Sequence, residues 1–474
     1  MRLLYIIVMM TLCGGIAAQQ PLSFDDAFML VLDNNKLIRS KRSDVTTAYY
    51  ERQAARGLYY PKVELAGAYM LTDKDIAIDL SGKRGAIESG ANALINQGIA
   101  GGLFTPAMGE MLRSLLAPLH NINLNYTLQK RSFGVLAAKI TMPIYAGGRI
   151  RAANRAAALR LSMAEYQLDA AESRLHTTLV ERYYGVVLLR SAVDVRRAVV
   201  EAVKRDLEDA RAMEAEGIIA HSEVLSIEYR LSEVERDLAR EEHSLSLTMR
   251  ALCSMLGVDE EVFPIDNMFV CNNMLPIDFY RDRANRLNST LCGAELNIDL
   301  AKEGVVAARA ELLPTVGIIG GASIYDYQLS NILPRWVVGT EASITLFDGL
   351  AKERNLRAAK SRVDGAIQAV ESGRDDILLL VDNEYYNTCN ALSDVRASQS
   401  AILAAESYYQ SALDGFHAGV VSAAELLDAE VARAASKMSL LKAMYDYATS
   451  LARLLEAAGI SHTFSEYRAM STNI

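Results

Sequence analysis

Proline is scarce in this 474-residue sequence, and the places where it is missing say most about the fold. Nine prolines stand at positions 21, 61, 106, 118, 143, 264, 276, 314 and 334, leaving residues 144–263 and 335–474 without one. A proline inside a helix clashes with the preceding turn and removes a donor. Two such stretches therefore read as very long helices, a pattern foreign to a compact α/β enzyme whose loops scatter proline evenly. Long apolar runs are also missing. Beyond the N-terminal segment no stretch offers the ~18 or more apolar residues that a membrane helix requires, so any entry into a bilayer would have to be as a β-barrel. Basic patches are missing as well: the net charge is −9, which argues against nucleic acid as a partner. No HExxH, phosphate loop, nucleophile elbow or dinucleotide fingerprint occurs, and the six histidines are scattered without metal-ligand spacing. An enzyme, a cofactor or a metal site has no residue to rest on.

The N-terminus has the pattern of a secretion signal over residues 1–18. Arg2 supplies the positive region, Leu3 to Leu12 the apolar core, and Ala17 and Ala18 the small residues before the cut. Cys13 raises the alternative of a lipid anchor, although the bulky Leu12 precedes it. Cys253, Cys271, Cys292 and Cys389 form no CxxC pair and read as buried, inert thiols.

The chain is two copies of one unit. At an offset of 202, Ile144-Tyr145-Ala146-Gly147 falls on Leu346-Phe347-Asp348-Gly349, Arg155-Ala156-Ala157 on Arg357-Ala358-Ala359, and Tyr183-Tyr184 on Tyr385-Tyr386. Gly217, Glu223, Leu225 and Gly257 fall on Gly419, Glu425, Leu427 and Gly459 without a gap. Upstream the offset is 253, which matches Asn35 to Asn288 and Pro61 to Pro314 and leaves 51 extra residues in the first copy.

Within each copy the proline-free stretch carries sustained heptads: Leu179, Val186, Val193, Val200 and Leu207, then Val224, Leu231, Leu238, Leu245 and Leu252. A strict seven-residue apolar repeat imposes coiled-coil packing. Gly217 and Gly419 interrupt these runs and suit helix C-terminal stops, and Ser422 with Glu425 suits a capping box for the returning helix. Each stretch is thus an antiparallel helical hairpin, expected over 147–257 and 349–459. Each arm would be roughly 90–100 Å long at 1.5 Å per residue.

Four segments alternate at period two: about 62–72, 133–146, 315–328 and 335–347. In the first, Val63, Leu65 and Tyr69 oppose Lys62 and Glu64; in the fourth, Trp336, Val338, Ala342, Ile344 and Leu346 oppose Glu341, Ser343 and Thr345. Their lengths match tilted membrane strands, and the alternative is a small soluble sheet capping the helices. Four strands cannot close a barrel, whose minimum is about eight, so a membrane role requires several chains to pool strands. The first repeat spans 19–258, a linker 259–276, the second repeat 277–460 and a tail 461–474. The insertion at 73–120 lies between two strands and reads either as a lid or partner-binding loop or as an elongated loop filling the barrel rim.

Several motifs, in order and duplicated, resemble outer-membrane efflux proteins of the TolC family. Leu22-Ser23-Phe24-Asp25-Asp26-Ala27 followed by Asn34-Asn35-Lys36-Leu37 resembles the family's opening helix, with Lys36 where a proline is usual. Tyr60-Pro61 and Leu313-Pro314 resemble its helix-to-strand corners. Pro143 to Gly148 and Thr345 to Leu350, with Gly147 and Gly349, resemble its strand-to-helix corners. Gly415 to Val420, then Glu425 to Ala429, resembles its periplasmic turn and the helix that follows.

The resemblance implies a homotrimer in the outer membrane of a Gram-negative bacterium, with a twelve-stranded barrel and an α-helical periplasmic tunnel. It implies docking on a periplasmic adaptor protein and an inner-membrane RND, MFS or ABC transporter, with no cofactor. The competing expectation is a periplasmic coiled-coil scaffold or adaptor without a channel. The turn residues Gly217, Ile218, Ile219, Gly419, Val420 and Val421 are the candidate adaptor contacts, since exposed apolar side chains mark contact sites; they could instead pack the hairpin ends. By the same resemblance Asp206, Asp209, Arg211, Gln410 and Asp414 are candidates for the periplasmic aperture, where three-fold symmetry would turn a carboxylate into a ring. The bland reading of these charges is a solvated helix face.

Overall fold

The computed structural model describes residues 20–79, 81–118, 125–258, 262–329 and 334–471. The expected leader with Cys13, and His120, lie outside the described residues. In chain order the elements are β1 (Gln20–Leu22), α1 (Phe24–Asn34), α2 (Lys36–Gly57), β2 (Lys62–Leu71), β3 (Ile76–Asp79), α3 (Arg84–Ala100) and α4 (Pro106–Leu116). Then follow β4 (Asn125–Gln129), β5 (Ser132–Ala146), α5 (Arg149–Ala215), α6 (His221–Leu256) and β6 (Val262–Pro264). The second copy comprises α7 (Ile277–Leu287), α8 (Ser289–Ala310), β7 (Thr315–Tyr327), β8 (Trp336–Ser343), α9 (Ala351–His417), α10 (Ala423–Ala457) and the short α11 (Phe464–Ala469). Among the described residues no helix is long and apolar enough to cross a membrane. The chain divides into two units: a helical one (residues 1–53, 154–305 and 357–474) and one that carries the large sheet (54–153 and 306–356).

In the helical unit the heptad positions do what their period dictates. Leu179, Val186, Val193, Val200 and Leu207 of α5 are all buried. One core gathers α5, α6, α9 and α10 around Phe24, Tyr183, Tyr184, Tyr447 and Phe464. His176 packs edge-on against Phe24, Phe28 and Phe464, and burial there holds its imidazole down at about 4. A three-residue parallel ribbon of β1 and β6 ties the N-terminus to the linker, and Tyr183 Oη donates to Leu22 O at 2.7 Å. The repeated asparagines break helices in the same way. Asn35 and Asn288 leave the helical region at ψ 124° and 111°, and their Oδ1 atoms accept from Leu37 N at 2.9 Å and Leu291 N at 3.0 Å. Each thereby caps the next helix.

In the sheet unit the strand order is β2-β5-β7-β8, antiparallel throughout. The register puts Val63 opposite Ile140 and Leu65 opposite Ala138. Ile140 in turn faces Gly320, Ala138 faces Ala322, and these pair with Val338 and Trp336. One face is therefore apolar across all four strands, while Lys62, Glu64, Lys139 and Glu341 share the other. Val63, Leu65, Tyr69, Trp336 and Val338 are exposed, so among the described residues nothing covers the apolar face, and among them β2 and β8 are open edges.

Three expectations about this unit need correction. Pro143, assigned to a corner, lies inside β5, where the register slips between Pro143 and Tyr145. A bulge tolerates a residue with no N–H. The corner itself is Gly147-Gly148, at φ 62° and 96°. The fourth strand stops at Ser343 rather than near 347 because its partner there is Thr315, the first residue of β7, and no neighbour remains beyond it. The 73–120 insertion is not a plain loop. Its β3–β4 ribbon prolongs the β2–β5 hairpin, and α3 packs on α4, with Phe104 over Gly98 and Ile99 against Gly109.

Candidate functional site at the helix turns

The two hairpin turns are built alike. Each first helix ends in paired bonds that wrap the last turn. Gly217 N donates to Glu214 O at 2.9 Å and Ile218 N to Met213 O at 2.8 Å; Gly419 N donates to Phe416 O at 2.9 Å and Val420 N to Gly415 O at 3.0 Å. This is the Schellman arrangement, whose pivot residue takes a left-handed backbone. The pivots are Gly217 and Gly419, at φ 74° and 72°. The next residue is thrown outward: Ile218 is 60% exposed and Val420 79%. The one after folds back, Ile219 against the hairpin core and Val421 over Gly415. Of the four aliphatics proposed as contacts, two point to solvent and two are half-buried.

The turns also hold each other. Glu223 Oε2 accepts from Ala423 N at 3.1 Å, so a carboxylate of the first hairpin caps the returning helix of the second. His417 Nε2 lies 3.2 Å from Asp209 Oδ2, and Ile218 Cγ2 lies 3.6 Å from where a side chain on Gly419 would begin. Ser422 Oγ accepts from Glu425 N at 3.3 Å, one half of the expected capping box. A negative group at a helix N-terminus is favoured by the exposed N–H groups and the helix dipole, which gives Glu223 a capping role that its repeat position alone does not reveal.

Of the five aperture candidates, Gln410 and Asp414 are bonded to each other, and Asp206, Asp209 and Arg211 have other surroundings. Asp206, read as a ring former, is turned into the protomer and only 3% exposed. Its Oδ2 has no hydrogen-bond partner. Burial first, then the charges of Glu430 and Asp209, push its carboxyl up to about 6, against the opposing pull of Arg205 and His417. Asp209 is held by His417, and Arg211 Nη2 donates to Glu228 Oε1 at 2.6 Å. Gln410 Nε2 donates to Asp414 Oδ1 at 3.2 Å on the exposed face of α9. Sequence reasoning missed the partner layer of Asp206. Glu430, 1% exposed, is bonded by Arg433 Nη2 at 2.8 Å, and the Arg433 guanidinium lies 3.8 Å over the Tyr409 ring. The Glu430-to-Arg433 spacing is a signal for an ion pair on one helix, but nothing local distinguishes a buried pair from a solvated one.

Comparison with known proteins points one way. Residues 281–460 match the family model described as outer membrane efflux protein. The chain is 22% identical over 325 residues to the outer membrane protein TolC of Escherichia coli K12, covering 65% of each chain, so less than two thirds of TolC is spanned. It is 22% identical over 311 residues to the alkaline protease secretion protein AprF of Pseudomonas aeruginosa, covering 63% of this chain and 64% of AprF. The solved structure of the outer membrane protein VceC from Vibrio cholerae superposes with a TM-score of 0.71 at 15% identity, covering 92% of this chain and 96% of VceC. That likeness shows the fold.

Proposed function

We propose that this member of the TolC-like outer membrane efflux protein family is a channel through which an export system passes its cargo out of the cell. The observation that carries the reading is the four-stranded sheet, which among the described residues has an apolar face left uncovered and both edges unpaired. An exposed apolar face and open strand edges are costly in water, and four strands cannot close on themselves. Three copies would supply twelve strands, with Val63, Leu65, Ile140, Val338 and Trp336 toward lipid and Lys62, Glu64, Lys139 and Glu341 toward the lumen. A periplasmic scaffold with a soluble sheet is not favoured, because it would leave that face bare. Of the relatives, TolC is an outer membrane protein and AprF an alkaline protease secretion protein, and no catalytic step is proposed for the chain.

The turn pair would be the docking end. Ile218 and Val420 present adjacent aliphatic knobs beside exposed acids, a surface suited to a periplasmic adaptor that links the channel to an inner-membrane pump. Fractionation with unheated gel electrophoresis tests the channel: a heat-modifiable trimer in the outer membrane is expected, and a soluble periplasmic monomer would overturn it. For the docking end, Gly217→Asp or Gly419→Asp should abolish export while trimers still assemble. Unchanged export would remove these turns from the assignment.

A further inference from the structure

The α3–α4 hairpin has an inside and an outside. Its inside is complete: Ile95 is buried, the Phe104 ring covers Gly98, and Ile99 covers Gly109. Arg113 Nη2 also donates to Asn96 Oδ1 at 2.5 Å across the pair. Yet Ile87, Leu94, Leu103, Met108, Met111 and Leu115 remain 50–78% exposed. Met108, Met111 and Leu115 recur at helical spacing on α4, and Ile87 and Leu94 do so on α3, so each helix carries an outward stripe. The hairpin has no further use for these side chains within itself.

Two features say what covers them. The hairpin rides on the β3–β4 ribbon, which prolongs β2 and β5, and β2 is an open edge of the sheet. In a closed barrel that edge meets β8 of another copy, so each hairpin stands at a boundary between copies. Second, no charged residue occurs between Glu88 and Glu110. Around a three-fold axis the same residue of all three copies faces inward, and a charge at the axis would meet its own kind. Leu94, Leu103 and Met108 lie inside that charge-free window and escape such repulsion, and on α4 the flanking Glu110 and Arg113 pair with each other at 2.8 Å. A patch of six side chains is smaller than the roughly 800 Å² per partner of a free-standing interface. Three hairpins already tethered by one barrel start at high effective concentration and need far less.

We propose that the α3–α4 hairpins of the three copies pack on one another through these stripes and form a self-associated cap over the extracellular mouth. This rests on the trimeric channel reading. The test uses the full-length chain. Cysteine is placed singly at Leu94, Met111 and Leu115, the assembled protein is oxidised, and the wild type is run alongside to account for its native thiols. Disulfide-linked dimers are expected from at least one position. Leu94→Glu with Met111→Glu should raise single-channel conductance by about twofold or more, with the heat-modifiable trimer retained. An intact trimer with no dimer from any position and unchanged conductance would overturn the cap and leave the channel standing; the same holds if a spin label at these positions reports lipid instead of protein. Absence of any trimer would overturn both.

Discussion

The two copies of the repeat share a backbone and differ in what their side chains meet. At the strand-to-helix corner the first copy has Gly147-Gly148, at φ 62° and 96°, and the second has Gly349-Leu350, at φ 73° and 65°. The left-handed geometry persists although leucine pays a steric penalty for it. At the corner the second copy adds Asp348, whose Oδ1 accepts from Ala351 N at 3.0 Å. At the turn it adds Ser422, where the first copy has Ala220 with no side-chain cap. The aligned tyrosines diverge further. Tyr183 and Tyr184 are fully buried against Phe24, whereas Tyr386 is 60% exposed. Glu228 is half-buried on Arg211 while its counterpart Glu430 is buried on Arg433. Duplication thus preserved the turns, and the neighbours of each copy decided burial.

The largest expected contrast is at the tyrosines. Tyr184→Ala should cost about 3–5 kcal/mol, as large aromatic truncations in a core do, and Tyr386→Ala within about 0.5 kcal/mol. Thermal unfolding of the helical circular dichroism signal measures both, and equal losses would break the comparison. Next is the buried acid. The Asp206 carboxyl is raised to about 6 from an ordinary 3.8. A raised acid favours the protonated form in the folded state, so the contribution of Asp206 to stability is fullest below about pH 4 and is lost as pH rises through about 6. Asp206→Asn should flatten that slope and add on the order of 1–3 kcal/mol at pH 8. A pH series of unfolding midpoints checks it, and an unchanged slope would assign the pH dependence elsewhere.

Smaller effects sharpen the corner and the caps. Leu350→Gly should stabilise by about 1 kcal/mol through relief of the left-handed strain, and Gly148→Leu should destabilise by about 1–2 kcal/mol. Ser422→Ala should cost about 1 kcal/mol, with Ala220→Ser gaining a similar or smaller amount. If Ala220→Ser loses stability, the first turn is held by something other than its cap.

Much of the architecture was legible because it is written in local rules. Proline-free heptads mark the long helices, alternation marks the strands, and Gly217 and Gly419 mark the turns, since each reflects a steric preference of one short segment. The site was less legible. Asp206 looks like any acid on a helix face, and only the packing of α5 beside α9 and α10 puts it next to Tyr409 and Glu430. Glu223 reads as a conserved repeat position, yet its partner is the backbone of Ala423, 200 residues away.

By itself the sequence determined the duplication, the break points and the period of every long element, because backbone sterics and side-chain spacing act within a few residues. The tertiary structure alone decided that β8 ends where its partner does, that Pro143 sits in a bulge, that Leu350 holds a glycine's conformation, and which copy's tyrosines and acids are buried. Those outcomes depend on which surface lies opposite, and no local window of the chain contains that surface.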